Sequence, residues 1–185
     1  MGLLIILAPF IANNLLNNSR SPYISLTKCI NVALEYAVAY AYMGNFDKGI
    51  QILKDSIGTS TKPQLLYNEL GGIYWAKGDT ASAIIAYKQA IECNPNYARP
   101  YINLAELYKC KNEKELAINH YFEAIKLFAQ YEYYEEMGNF AAEVLNIDST
   151  NIEANKFLQY YTSNAVLKLC IMHCALCIFI NLCVP

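Results

Sequence analysis

The chain has 185 residues, which is enough for one domain of ordinary size. Apolar residues make up 55% of the chain, charged residues make up only 16%, and the formal net charge is −2. Because no run of basic residues occurs, we do not expect nucleic-acid binding through phosphate contacts.

Residues 1–21 are predicted to be an apolar N-terminal helix and a linker. The apolar run Leu3–Ala12 is interrupted by Pro9, and no basic residue precedes it. A secretory signal normally begins with basic residues, so this interpretation is the weaker one. The favoured interpretation is a helix that packs on the first of the repeats described next.

The central part of the chain is similar to itself when it is shifted by the interval that separates Tyr40 from Tyr74. Tyr40, Tyr74 and Tyr108 coincide under this shift. The other coincident pairs are Leu70 with Leu104, Gly44 with Gly78, Ala83 with Ala117, Tyr87 with Tyr121, and Ala90 with Ala124. A fixed period of this length indicates a repeat architecture, in which each unit is a small supersecondary element stacked on the next.

The unit Gln64–Tyr97 shows the pattern most clearly. It contains two amphipathic helical segments, separated by a turn at Gly78 and closed by Pro95. Gly78 suits the left-handed residue that ends a helix, and Asp79 or Thr80 can cap the helix that follows. The unit is therefore predicted to be a pair of antiparallel helices.

Small residues in this unit mark the contact between its paired helices. Gly71 lies on the first helix, and Ala83 and Ala90 lie on the second. Two helices approach closely only where the side chains between them are small. We therefore expect these three residues to be buried at helix contacts.

The same arrangement of paired helices is predicted on both sides of Gln64–Tyr97, but the repeat interval is not kept in the last unit. Repeats are predicted at about 30–63, 64–97 and 98–131, with a degenerate unit at 132–164. The sequence Met137–Phe140 repeats that of Met43–Phe46, which predicts a turn between paired helices at Gly138. Such a turn would shorten the fourth unit by about eight residues, and Ile152–Val166 would form the next helix.

Residues 165–185 are an apolar segment rich in cysteine. Between Leu169 and Val184 only His173 and Asn181 are polar, and the run is at the short limit of the ~17–25 residues that a membrane span needs. Two interpretations stay open, a C-terminal membrane anchor and a final helix that closes the repeats. We expect no metal here, because tetrahedral zinc usually requires ligands from converging segments.

The residues of Gln64–Tyr97 resemble the tetratricopeptide repeat (TPR). The shared positions are Leu70, Gly71, Tyr74, Gly78, Asp79, Ala83, Tyr87, Ala90 and Pro95. The resemblance implies an all-α fold over residues 22–164, a right-handed solenoid of helical hairpins with extra N- and C-terminal helices. It also implies that the first helix of each pair lines a concave groove.

In the family that this chain resembles, the groove holds a segment of a protein partner. The positions that the resemblance assigns to partner binding are Asn31, Glu35, Tyr42, Asn68, Trp75, Arg99, Asn103 and Glu106. Family members that bind the carboxyl termini of chaperones carry Lys and Asn where this chain has Leu34 and Val38. We therefore do not expect capture of a terminal carboxylate.

Groups suited to catalysis are scarce. The chain has two histidines, lacks a phosphate-binding loop of the G-x-x-x-x-G-K type, and has seven cysteines, an odd number that favours a reducing compartment. We therefore predict a cytoplasmic, non-enzymatic interaction protein with no cofactor and a protein or peptide partner. The alternatives are a TPR adaptor anchored in a membrane through residues 165–185 and the TPR part of a larger multidomain enzyme.

Overall fold

The computed structural model describes residues 26–163, and this range contains helices and turns without a strand. The helices are α1 (Leu26–Tyr42), α2 (Phe46–Ile57), α3 (Pro63–Lys77), α4 (Thr80–Cys93), α5 (Ala98–Cys110), α6 (Lys114–Gln130), α7 (Tyr134–Ile147) and α8 (152–163). The all-α prediction is confirmed for this range, as is the helix predicted to begin at Ile152. The segments 1–21 and 165–185 lie outside the described residues.

Short turns with left-handed residues join the helices of the first three pairs. Gly44 and Gly78 have φ angles of 80° and 90°, and Asn112 takes the equivalent place with a φ of 61°. Asp79 caps α4, because its Oδ1 accepts a hydrogen bond of 3.0 Å from the backbone N–H of Ser82. Hydrogen bonding to Ser82 also lowers the pKa of the Asp79 carboxyl group. The predicted turn and cap are thus confirmed.

The small residues lie where the sequence predicts them. Ala83 and Ala90 are fully buried, and Gly71 is buried as well. A Cβ atom on Gly71 would lie 2.6 Å from the ring of Tyr87 on α4. A Cβ atom on Gly49 would lie 2.7 Å from the backbone oxygen of Ala37, so α1 and α2 also meet backbone to backbone.

The chain divides into two compact units, Met1–Leu107 and Tyr108–Pro185. In the first unit, α1 packs on α2 and α3, and α3 packs on α4. Their apolar faces form one core, whose buried members include Ala37, Leu53, Leu66, Leu70 and Ile73. Burial of these side chains is the main stabilising contribution, at roughly 25 cal/mol per Å² of apolar surface.

The turn predicted at Gly138 is wrong. Gly138 is a buried residue inside α7, and a Cβ atom there would lie 2.5 Å from the ring of Tyr161 on α8. The turns that border α7 lie at residues 131–133, where Glu132 has a φ of 59°, and at residues 148–151. Gly138 is thus a close-packing residue like Gly71, and the match of Met137–Phe140 to Met43–Phe46 is misleading.

The predicted shortening of the fourth unit fails for the same reason. First helices begin at Pro63, Ala98 and Tyr134, so the interval between successive starts stays nearly constant. The spacing therefore continues into the second unit. Aromatic rings fill the space beside α7, since Phe140 stacks on Tyr121 at 5.9 Å and on Phe128 at 5.6 Å between ring centroids.

Within residues 26–163, none of the helices combines the length and the apolar character that crossing a bilayer requires. The segment 165–185, which the sequence offers as a membrane anchor, is not among these residues.

Candidate partner-binding groove

Two adjoining depressions lie between α1 and α3 in the first unit, and we call them together the α1–α3 groove. Val38 and Glu69 line both depressions. The first has a volume of about 220 Å³ and is lined by Tyr42, Phe46 and Ile73, among others. The second is lined by Leu34, Glu35, Val38, Leu65, Glu69 and Tyr97. The groove is therefore mostly apolar, with carboxylates set into it.

The repeat period explains which residues face the groove. Since α1 and α3 are the first helices of successive pairs and pack on each other, equivalent positions lie on the same surface. Three pairs of residues one period apart line the groove together: Glu35 with Glu69, Val38 with Gly72, and Tyr42 with Ala76. The surface is thus built by repetition of one helix face.

The residues predicted to bind a partner have different surroundings in the structure. Glu35 and Tyr42 line the groove, and the Tyr42 side chain is 87% exposed. The two depressions are not lined by Asn31, Trp75, Arg99 or Glu106. Of these, Asn31 and Arg99 are exposed, and Trp75 and Glu106 are partly buried.

Asn68 and Asn103 join α3 to α5 by a hydrogen bond between their side chains. Nδ2 of Asn103 donates to Oδ1 of Asn68 over 2.9 Å, and Nδ2 of Asn68 donates to Oε1 of Glu69 over 3.2 Å. Asn68 is only 2% exposed, whereas Asn103 is partly buried. Asn68 therefore links two first helices and leaves little surface for a ligand.

Replacing Asn103 by alanine is expected to destabilise the fold. The buried Oδ1 of Asn68 would lose its donor, and an unsatisfied buried acceptor costs about 1–3 kcal/mol. Urea denaturation should show this loss, while Asn31→Ala, at an exposed position of α1, should change stability by less than about 0.5 kcal/mol. Equal stabilities of the two variants would contradict a structural role for the pair.

Glu69 is a groove residue that the prediction from sequence omits. It lies one repeat period after Glu35 and one period before Asn103, so the period alone could have identified it. Burial raises the pKa of Tyr97; the positive charge of Arg99 opposes this effect and the negative charge of Glu69 adds to it. Glu69 therefore contributes to the raised pKa of Tyr97, which lines the groove, and also accepts the hydrogen bond from Asn68.

The two groove carboxylates have no cationic partner among the side chains described, those of residues 30–163. Salt bridges in this range include those of Lys77 with Asp47, Lys109 with Glu143, Lys111 with Glu113, and Lys126 with Glu123. Glu35 is exposed and Glu69 is partly buried. The groove therefore presents two carboxylates without a salt-bridge partner in the described part of the chain, beside apolar surface.

Comparison with known proteins identifies the repeat and a distant relative. The family model described as "TPR repeat" matches residues 71–112. The protein named "Uncharacterized protein ycf37" from Pyropia yezoensis is 34% identical over 82 residues, which is 44% of this chain and 46% of that protein. The chain spans about half the length of the curated relatives that it matches, at 46% and 55%.

Solved structures show the same fold at low sequence identity. The crystal structure of MamA has a TM-score of 0.56 and 21% identity, covering 89% of this chain and 88% of MamA. SycD of Yersinia enterocolitica, crystallised in complex with a peptide of the translocator YopD, has a TM-score of 0.52 and 15% identity over 74% of this chain and 95% of SycD. The predicted helical solenoid is confirmed.

Proposed function

The chain is a tetratricopeptide-repeat protein, and from this premise we propose that it binds a segment of a partner protein in the α1–α3 groove. The fold is that of a protein-interaction module. The proposal adds the location and the mode of binding, and it assigns no catalytic role to the groove.

The observation that carries the proposal is one exposed aromatic side chain beside a mostly apolar depression. Tyr42 projects from the end of α1 with 87% of its side chain exposed and borders the depression lined by Phe46 and Ile73. Aromatic residues beside apolar pockets are the usual energetic centres of protein interfaces. A partner side chain that enters the depression would cover this surface.

A second support comes from the structural neighbour SycD. That protein was crystallised with a peptide of the translocator YopD, and its fold matches 74% of this chain. At 15% identity the likeness concerns the fold, so the peptide complex supports the general mode of binding and leaves the nature of the partner open.

A peptide selection on the full chain tests the proposal. We expect a displayed library of random twelve-residue peptides to yield binders whose affinity falls by roughly tenfold or more in Tyr42→Ala, the loss typical of an aromatic interface centre. Because Tyr42 is exposed, this variant should keep the stability of the wild type. Ile85→Ala, at a 58% exposed position on α4, is the matched control and should bind normally.

Fluorescence titration of selected peptides against the three proteins measures the effect. Binding that is equally tight to wild type and Tyr42→Ala, or a library that yields no binder, would overturn the groove as the binding site.

A further inference from the structure

We propose that the α1–α3 groove selects partner segments in which an apolar side chain is accompanied by a lysine or an arginine. This inference rests on the proposed function and adds the chemistry of the ligand. The occupant is a segment of another polypeptide, with the apolar side chain in the depression beside Tyr42 and the cation near Glu35 and Glu69.

The charge of the groove carries the inference. Glu35 and Glu69 are the charged residues that line the two depressions, and neither Lys nor Arg lines them. Arg99 does not line the depressions, although its positive charge affects the pKa of Tyr97 more than the negative charge of Glu69 does. The lining of the groove thus carries negative charge only, which favours a positively charged partner and disfavours an acidic one.

The placement of the Glu69 carboxylate strengthens the argument. Oε1 of Glu69 accepts a 3.2 Å hydrogen bond from Asn68, which is itself held by Asn103. The carboxylate is therefore restrained and still has acceptor capacity for a further donor. A restrained carboxylate loses less conformational entropy when it pairs with a cation.

Lysine and arginine also suit the apolar part of the groove. Their aliphatic stems can lie along apolar surface while the charged head reaches a carboxylate. Leu34, Val38 and Leu65 provide such surface next to Glu35 and Glu69, and the ring of Tyr97 lies on the same wall. One basic side chain can thus contact both kinds of group.

The test compares peptide selections on the full wild-type chain and on two variants of it, each of which lacks a different pair of carboxylates. The same random twelve-residue library is selected on wild type, on Glu35→Gln/Glu69→Gln and on the control Glu92→Gln/Glu115→Gln. The control has the same net charge as the groove variant, and both of its positions are exposed. We expect enrichment of Lys and Arg on wild type and control, and its loss on the groove variant.

A single selected peptide then gives the magnitude. Exchanging its enriched Lys or Arg for Glu should weaken binding to wild type by roughly tenfold and binding to Glu35→Gln/Glu69→Gln by much less. Binding to wild type should also weaken as salt rises, because exposed charges are screened.

The outcomes separate this inference from the proposed function. Peptides that lose affinity in Tyr42→Ala but show no basic enrichment, or show acidic enrichment, overturn the inference and leave groove binding in place. A library without Tyr42-dependent binders overturns both. Dimerisation of the chain that Tyr42→Ala abolishes would identify a second copy as the occupant and would also overturn the inference.

Discussion

Replacing Tyr87 by alanine is expected to lower the free energy of unfolding by about 3–5 kcal/mol, the usual cost of removing a buried aromatic ring. Tyr87 is 1% exposed, and its ring lies against Gly71 at the contact between α3 and α4. The truncation would leave a cavity between the two helices. Urea denaturation followed by circular dichroism measures the change.

The phenylalanine variant is the control for this prediction. Burial strongly raises the pKa of the Tyr87 hydroxyl, and tyrosine is already uncharged at neutral pH at its ordinary pKa of about 10, so exchange for phenylalanine removes no charge. Tyr87→Phe keeps the ring and should cost less than about 1.5 kcal/mol, as shape-conserving exchanges do. A Tyr87→Ala variant as stable as Tyr87→Phe would show that the ring does not stabilise the α3–α4 contact.

Replacing Gly71 by valine is expected to destabilise the protein by about 1–3 kcal/mol, because it overpacks the same contact. A Cβ atom at this position would lie 2.6 Å from two ring atoms of Tyr87, which is too close for an ordinary contact. Its neighbour Gly72 provides the control, since a Cβ atom there would meet only the Tyr87 hydroxyl at 3.8 Å. Gly72→Ala should raise stability by about 0.5–1 kcal/mol through helix propensity.

A double-variant cycle tests whether the steric contact is the cause. In Gly71→Val/Tyr87→Ala the added methyl groups would enter the space that the ring vacates. The combined loss should therefore be smaller than the sum of the single losses by about 1 kcal/mol. Additive losses, or a Gly71→Val variant as stable as Gly72→Ala, would rule out the ring contact as the reason for glycine at this position.

Much of the helix pairing could be predicted because its signals are local or periodic. Gly78 at a left-handed turn and Asp79 at the following cap are choices that nearby backbone groups dictate. The burial of Ala83 and Ala90 follows from the need for small residues at close helix contacts. Features of this kind depend on a few consecutive residues or on a fixed interval.

Gly138 could not be assigned in this way. The same short sequence forms a turn at Met43–Phe46 and part of a helix at Met137–Phe140. What differs is the ring of Tyr161 on the following helix, against which Gly138 packs. A partner so distant in the sequence leaves no local signal.

The residues that line the groove could also be predicted only in part. Glu35 and Tyr42, which the family resemblance assigns to the groove, line it. The burial of Asn68, in contrast, depends on the neighbouring helix, through its hydrogen bond with Asn103. Glu69 is not a motif position, unlike the adjacent Leu70 and Gly71, so the motif does not predict it. The repeat interval does indicate it, because Glu69 lies one period after Glu35.

Helix α3 has two faces with different surroundings. Leu66 and Leu70 face the core, while Leu65, Glu69 and Ala76 face the groove, although all five lie on one helix. Because surface substitutions away from buried contacts usually change stability little, residues on the groove side can be exchanged while the core stays intact. Under the proposed function, the ligand preference of this surface is thus free to diverge in evolution, or to be redesigned in the laboratory, without a new fold having to arise.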